Sequence, residues 1–85
     1  MQTFEYTIKD SLGIHVRPAG QLAQLAKEKK STITIKLDDK EADTTKLFAV
    51  MALAVKCGNT ITVTVDGEDE EEAAAEVKKF LEENL

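Results

Sequence analysis

The segment Gly13-Ile14-His15-Val16-Arg17-Pro18 sets the chain's only histidine between a glycine, which permits a tight or positive-φ turn, and a proline, which suits the first turn of a helix. A helix starting near Val16 lacks the usual Ser, Thr, Asp or Asn before it and has His15 instead. On a surface loop, a departure of this kind points to function. The first-turn residues Val16, Arg17 and Pro18 form a helix N-terminal anion site, where orphan backbone N–H groups face a ligand. There the positive end of the helix dipole keeps a ring nitrogen of His15 available as a nucleophile. Arg17 adds a planar, permanently charged fork for phosphoryl oxygens. Together these residues describe a histidine that accepts, holds and releases a phosphoryl group. The plain alternative is an ordinary exposed helix-start histidine beside a solvated arginine.

Other chemistries find less support. Ser11 is near in sequence, but a Ser-His-Asp arrangement needs an ordered acid that the sequence does not place. Cys57 has no second cysteine to pair with, and no Cys/His cluster shows zinc-like spacing, so neither a metal nor a cofactor is expected. A small phosphatase of the acylphosphatase kind would use an Asn beside the anion loop, whereas Asn59 and Asn84 both lie outside it. The 85 residues are expected to form one domain spanning 1–85, too small for a deep substrate cavity. The net charge of −5 argues against nucleic-acid binding. No apolar run approaches the roughly 18 residues of a membrane span and no leader pattern opens the chain, so a soluble cytoplasmic protein is expected, with no membrane insertion.

The elements that must position the segment follow from periodicity. Gln2 to Lys9 alternates Phe4, Tyr6 and Ile8 with polar residues, as a half-buried strand does, and Asp10 to Gly13 breaks it. Val16, Ala19, Leu22, Ala23 and Ala26 then recur at helical steps, predicting an amphipathic helix of about four turns with Lys27, Lys29 and Lys30 at its end. Thr32 to Leu37 alternates again and pairs, through Asp38-Asp39, with a short return over Lys40 to Ala42. Lys46 to Val55 predicts a short helix closed by Gly58 and Asn59, and Thr60 to Asp66 a fourth strand. Asp69 is placed to cap a last helix with Glu70, Glu71 and Glu72 in its first turn and Ala73, Val77, Phe80 and Leu81 as its apolar stripe. The order β-α-β-β-α-β-α, with threonines opposite the aliphatic residues, predicts an α/β (α+β) open-faced two-layer sandwich. Its four-stranded antiparallel sheet would carry three helices on one face.

With these residues in place, the chain resembles HPr, the histidine phosphocarrier family of the bacterial phosphoenolpyruvate-dependent sugar phosphotransferase system. The family signature G-[IL]-H-x-R-P-[AS] is matched by Gly13-Ile14-His15-Val16-Arg17-Pro18-Ala19. A second family segment corresponds to Lys46-Leu47-Phe48-Ala49-Val50-Met51, and length and element order agree. The resemblance implies a stoichiometric phosphocarrier rather than a turnover enzyme. In it, Nδ1 of His15 accepts a phosphoryl group from enzyme I and passes it to IIA domains of sugar permeases, Arg17 stabilises that group, and the carrier works as a monomer. It also implies a shared partner surface of Arg17, Gly20, Gln21, Gln24 and Lys27 beside Leu47, Phe48 and Met51. The first five share one helical face by spacing, and Phe48 falls off the apolar periodicity, whereas Leu47 and Met51 fit a core position equally well. The rival reading is a regulatory paralogue, nitrogen-branch or orphan, acting mainly through protein–protein contacts.

Three positions depart from the family pattern. Lys46 stands where serine-regulated members carry the phosphorylated serine, and a lysine cannot accept that phosphate. Leu12 stands where the family often has a small polar residue able to contact the phosphoryl group; Leu12 cannot make that contact, and Ser11 beside it is of a type that can. Ala54 stands where the second helix commonly ends in glycine, a change expected only to tighten that end. Charge is unevenly spread: residues 1–46 carry eight basic and seven acidic side chains, residues 47–85 three and nine, and Val16 to Lys30 alone has a balance of +3.

Overall fold

The computed structural model describes residues 1–85, and its elements run β1 (Gln2–Thr7), α1 (Val16–Lys27), β2 (Thr32–Leu37), β3 (Lys40–Asp43), α2 (Leu47–Ala52), β4 (Thr60–Asp66) and α3 (Glu70–Asn84). The strands form one sheet in the order β1-β4-β2-β3, with every neighbouring pair antiparallel. The period-2 pattern sets the register. Phe4 lies opposite Val63, Tyr6 opposite Ile61, and Ile35 opposite both Val63 and Ala42, so the apolar residues share one face. On the other face Thr3 meets Thr64, Glu5 meets Thr62 and Lys36 meets Thr62, which keeps that face compatible with water. The helices cover the apolar face: Ala19, Leu22 and Ala26 of α1, Val50 of α2 and Ala73, Val77 and Leu81 of α3 join Ile33, Ile35, Ile61, Val63 and Val65 in one core.

Five local expectations need correction. The apolar face of α1 begins at Pro18 and Ala19, not at Val16, whose side chain is 63% exposed. The helix is correspondingly nearer three turns than four, because Lys29 and Lys30 fall beyond its last residue, Lys27. α2 stops at Ala52 rather than Val55, because Ala54 adopts a left-handed φ of 54° that ends the helix before Val55 turns back into the core. Ala54 therefore occupies a conformation that suits glycine, and it does more than tighten an end. Asp69 does precede α3 but does not cap it with its side chain. Its carboxylate instead accepts hydrogen bonds from the Ser31 hydroxyl and, at 3.0 Å, the Lys30 N–H, tying the start of α3 to the α1–β2 loop.

Two contacts fix the far end of α3. The Tyr6 hydroxyl donates to the Leu81 carbonyl at 3.0 Å, and burial pushes the Tyr6 phenol pKa up. The Leu85 carbonyl accepts from the backbone N–H groups of Lys9 and Asp10 at 2.6 and 2.8 Å. The end of the last helix is thus docked beside the loop that leads to His15.

Candidate functional site

His15 is the N-cap of α1, with extended backbone (φ −119°, ψ −178°) and no capping bond from its side chain. Its imidazole is left free for other work. The first bond of the helix runs from the Ala19 N–H to the His15 carbonyl at 3.0 Å, so the N–H groups of Val16 and Arg17 precede it and open outward. Pro18, buried in that first turn, has no N–H to leave unpaired.

Gly13 sets the approach to this end. Its φ is +67°, and a Cβ there would stand 2.3 Å from the Val55 carbonyl oxygen and 2.7 Å from the Lys56 Cα. Only glycine combines that backbone with that proximity. The contact also lets the Ile14 N–H donate to the Val55 carbonyl at 3.1 Å, which buries Ile14 and turns His15 out toward solvent.

Asp10, His15, Arg17, Pro18, Gln21 and Asn84 line a surface cleft of about 210 Å³. A phosphoryl group is small enough for it, and the cleft offers a ring nitrogen, a guanidinium and a helix N-terminus on one side. A larger depression of about 450 Å³ lies at the start of α3, lined by Gly67 and five consecutive acidic residues, Glu68 to Glu72. Its charge repels an anion, so size does not pick out the site here.

The structure thus brings His15, Arg17, Pro18 and Gln21 together and carries Gly20, Gln24 and Lys27 along the same outer side of α1. Val16 keeps its backbone N–H at the helix end while its side chain points to solvent. Ser11 is not among the residues that line the cleft. Leu47 and Met51 are half-buried against the core, while Phe48 is 86% exposed on α2, which packs beside α1. No group of three His, Cys, Asp or Glu side chains is placed to hold a metal ion, and no helix is long and apolar enough to cross a membrane.

Two residues of the cleft were not anticipated. Asp10 places Oδ2 3.9 Å from His15 Nε2, while its Oδ1 accepts the Leu12 N–H at 2.8 Å. The signal for Asp10 was local: an Asp followed three residues later by Gly is turn chemistry, and here the Gly13 N–H closes the turn on the Asp10 carbonyl at 2.9 Å. Asn84 comes from the opposite end of the chain and carried no local signal at all. Its amide donates to the Phe80 carbonyl at 2.9 Å, so the residue is held at the last turn of α3, where it lines the cleft.

Comparison with known proteins bears on what this cleft does. The family model of the PTS HPr component phosphorylation site matches residues 2–83. The chain belongs to the HPr family of phosphocarrier proteins. Among HPr relatives, the phosphocarrier protein HPr of Lysinibacillus sphaericus is 40% identical over 83 residues, covering 98% of this chain and 94% of that protein. HPr of Mycoplasma genitalium is 39% identical over 85 residues, covering 99% and 97%. HPr-C-His from Thermoanaerobacter tengcongensis superposes with a TM-score of 0.91 at 32% identity, over 96% of this chain and 92% of that one. An HPr dimer from the same organism also matches, with a TM-score of 0.77 at 31% identity over 98% and 95%. HPr proteins are phosphocarriers of the phosphotransferase system and not turnover enzymes, and the sheet order and element order seen here agree with that fold.

Proposed function

We propose that this chain carries a phosphoryl group on His15 between enzyme I and the IIA domains of sugar permeases, as a cytoplasmic monomer in which residues 1–85 act as one domain. The observation that carries this reading is the cleft, where His15, Arg17 and the open end of α1 converge in a chain of the HPr family. On loading, the Nδ1 lone pair attacks phosphorus as the bond to the donor breaks, and the donor keeps that electron pair. On unloading, a nucleophile of the IIA domain forms its bond to phosphorus as the P–Nδ1 bond breaks and the pair returns to His15. Arg17 and the N–H groups of Val16 and Arg17 meet the charge on the equatorial oxygens as it moves. The exposed side of α1 at Arg17, Gly20, Gln21, Gln24 and Lys27, with Leu47, Phe48 and Met51 of α2, docks both partners in turn.

The retained pairing of His15 with Arg17 favours transfer over a purely regulatory role. Incubation with phosphoenolpyruvate and catalytic enzyme I should add one acid-labile phosphoryl group by intact mass and none to His15→Ala. An unmodified wild-type chain would overturn the carrier reading, and equal modification of both chains would overturn the site. Sedimentation of the loaded and unloaded chain, expected to show a monomer in each case, tests the assembly state.

A further inference from the structure

Asp10 is held unusually well for a loop residue. Its N–H donates to the Leu85 carbonyl at 2.8 Å, its carbonyl accepts from Gly13 at 2.9 Å, and its Oδ1 accepts from Leu12 at 2.8 Å. Only Oδ2 is uncommitted, and it faces His15 Nε2 at 3.9 Å. Both side chains are partly shielded, His15 at 36% and Asp10 at 29% exposure. The separation exceeds a hydrogen bond, yet a small rotation of the imidazole or one bridging water closes it, and contacts between catalytic groups commonly tighten only in the reacting complex.

We propose that Asp10 is the positioning residue of the transfer, holding a proton on Nε2 of His15 so that Nδ1 is the nitrogen that takes the phosphoryl group and later leaves it as a neutral ring. The inference rests on His15 being the phosphoryl acceptor. With Nε2 turned toward a carboxylate, Nε2 serves as the donor and Nδ1 keeps its lone pair, the same logic by which an acid orients a catalytic histidine elsewhere. When the phosphoryl group departs, the P–Nδ1 bond breaks and its electron pair returns to Nδ1. If Nε2 carries its proton, the ring departs as neutral imidazole. If it does not, the ring must depart as an imidazolate anion, a far poorer leaving group. Asp10 favours the first path.

The charged and polar groups facing the ring are few. Asp10 approaches from the β1–α1 loop, Arg17 lies on α1, and α3 contributes the uncharged Asn84. Arg17 opposes the proton that Asp10 favours, and it is unchanged in the comparison that follows.

The test uses the full chain loaded chemically with phosphoramidate, whose P–N bond breaks with loss of ammonia, so that neither enzyme I nor an acceptor domain enters. Phosphorus NMR with nitrogen-15 labelling identifies the ring nitrogen that is loaded and follows hydrolysis against pH. Hydrolysis slows as pH rises and the phosphorylated ring loses its Nε2 proton. In Asp10→Asn the alkaline fall-off should move to lower pH by about half a unit, a roughly threefold slower hydrolysis on that limb, as befits one partly exposed charge. Asp10→Asn can still accept the Leu12 N–H, whereas Asp10→Ala cannot, so a charge effect displaces both profiles equally and a loop effect displaces only the alanine variant. Displacement in Asp10→Asn with the phosphoryl group on Nδ1 supports the proposal. An undisplaced Asp10→Asn profile, or a phosphoryl group found on Nε2 of the wild type, overturns it while leaving His15 as acceptor intact. A wild-type chain that forms no phosphohistidine overturns both.

Discussion

At the scale of single residues, the cleft leaves the imidazole and the guanidinium of the proposed site uncommitted to other structural roles. His15 ends a loop without capping the helix that follows, so its imidazole is free, and Arg17 in the next turn has no ion pair to draw it away from the cleft. Arg17→Glu is expected to slow phosphoryl transfer both from enzyme I and to IIA domains by about a hundredfold, because it places an anion where charge develops. Its melting temperature should stay near that of the wild type, since Arg17 is exposed; rapid-quench kinetics beside calorimetry check the two halves of the expectation. Ala54 poses a different case, a residue outside the cleft that bears backbone strain where the chain turns back toward Val55. Its φ of 54° disfavours any side chain with a Cβ. Ala54→Gly should therefore stabilise the chain by about 0.5–1 kcal/mol, a rise of several degrees in Tm by thermal unfolding.

At the scale of elements, the segment that follows α1 is tied to α3 by side-chain contacts. Lys29, just past α1, forms an ion pair with Glu76 of α3, and Asp69 at the head of α3 grips the Ser31 hydroxyl and the Lys30 N–H. The Ser31 hydroxyl bond, followed by the Lys30 N–H, holds the Asp69 carboxyl below its ordinary range. A carboxylate whose folded pKa is depressed contributes stability above its unfolded pKa and loses it as pH falls through the folded one. The margin of the wild type over Ser31→Ala in melting temperature is accordingly expected to be full at neutral pH. It should shrink as pH drops below about 4, and a margin that stays constant from pH 7 to pH 3 would show that the carboxylate does not act as this latch. The pinning bears on the site because it fixes where α3 ends, and that end supplies Asn84 to the cleft and the Leu85 carbonyl to Asp10.

At the scale of the whole molecule, the acidic chain presents a basic helix. The net charge is −5, while α1 carries Arg17 and Lys27 and no acidic residue, and the acidic run Glu68 to Glu72 is gathered at the other end of α3 from His15. A field divided in this way orients the molecule as it approaches an acidic partner surface, and its effect is screened once the Debye length falls to about 10 Å. Transfer from enzyme I should slow several-fold as salt rises from about 10 to 150 mM, with the slope reduced in Lys27→Gln. Phe48, at 86% exposure, contributes little to the core and belongs to the proposed docking surface of α1 and α2. Phe48→Ala should leave Tm nearly unchanged and weaken docking to a IIA domain roughly tenfold or more, measured as a rise in KM for transfer.

How much of this was legible in the chain differs by range. Alternation at Phe4, Tyr6 and Ile8 or at Ile61, Val63 and Val65, and helical steps at Ala19, Leu22 and Ala26, are statements about neighbours a few residues apart, so sequence alone determined the element order, the sheet's polar and apolar faces and the core. It likewise singled out His15, Arg17 and Pro18 as the candidate segment, because a glycine, a histidine and a proline at that spacing leave few local conformations. What fails locally is whatever depends on a contact between distant parts. Val16 fits the apolar period yet points outward because the core begins one step later, at Pro18 and Ala19. Asp69 has the type of a helix cap but finds better partners in Ser31 and Lys30 across the fold. Ala54 turns left-handed because Val55 must reach both the core and Ile14. The composition of the cleft was decided the same way: only when α3 has packed on the sheet does its last turn arrive beside Asp10, and only then do Asp10 and Asn84 face the histidine. Local periodicity encodes the elements, but which polar groups meet at their ends is set by where the packed helices stop, and no window of neighbouring residues contains that information.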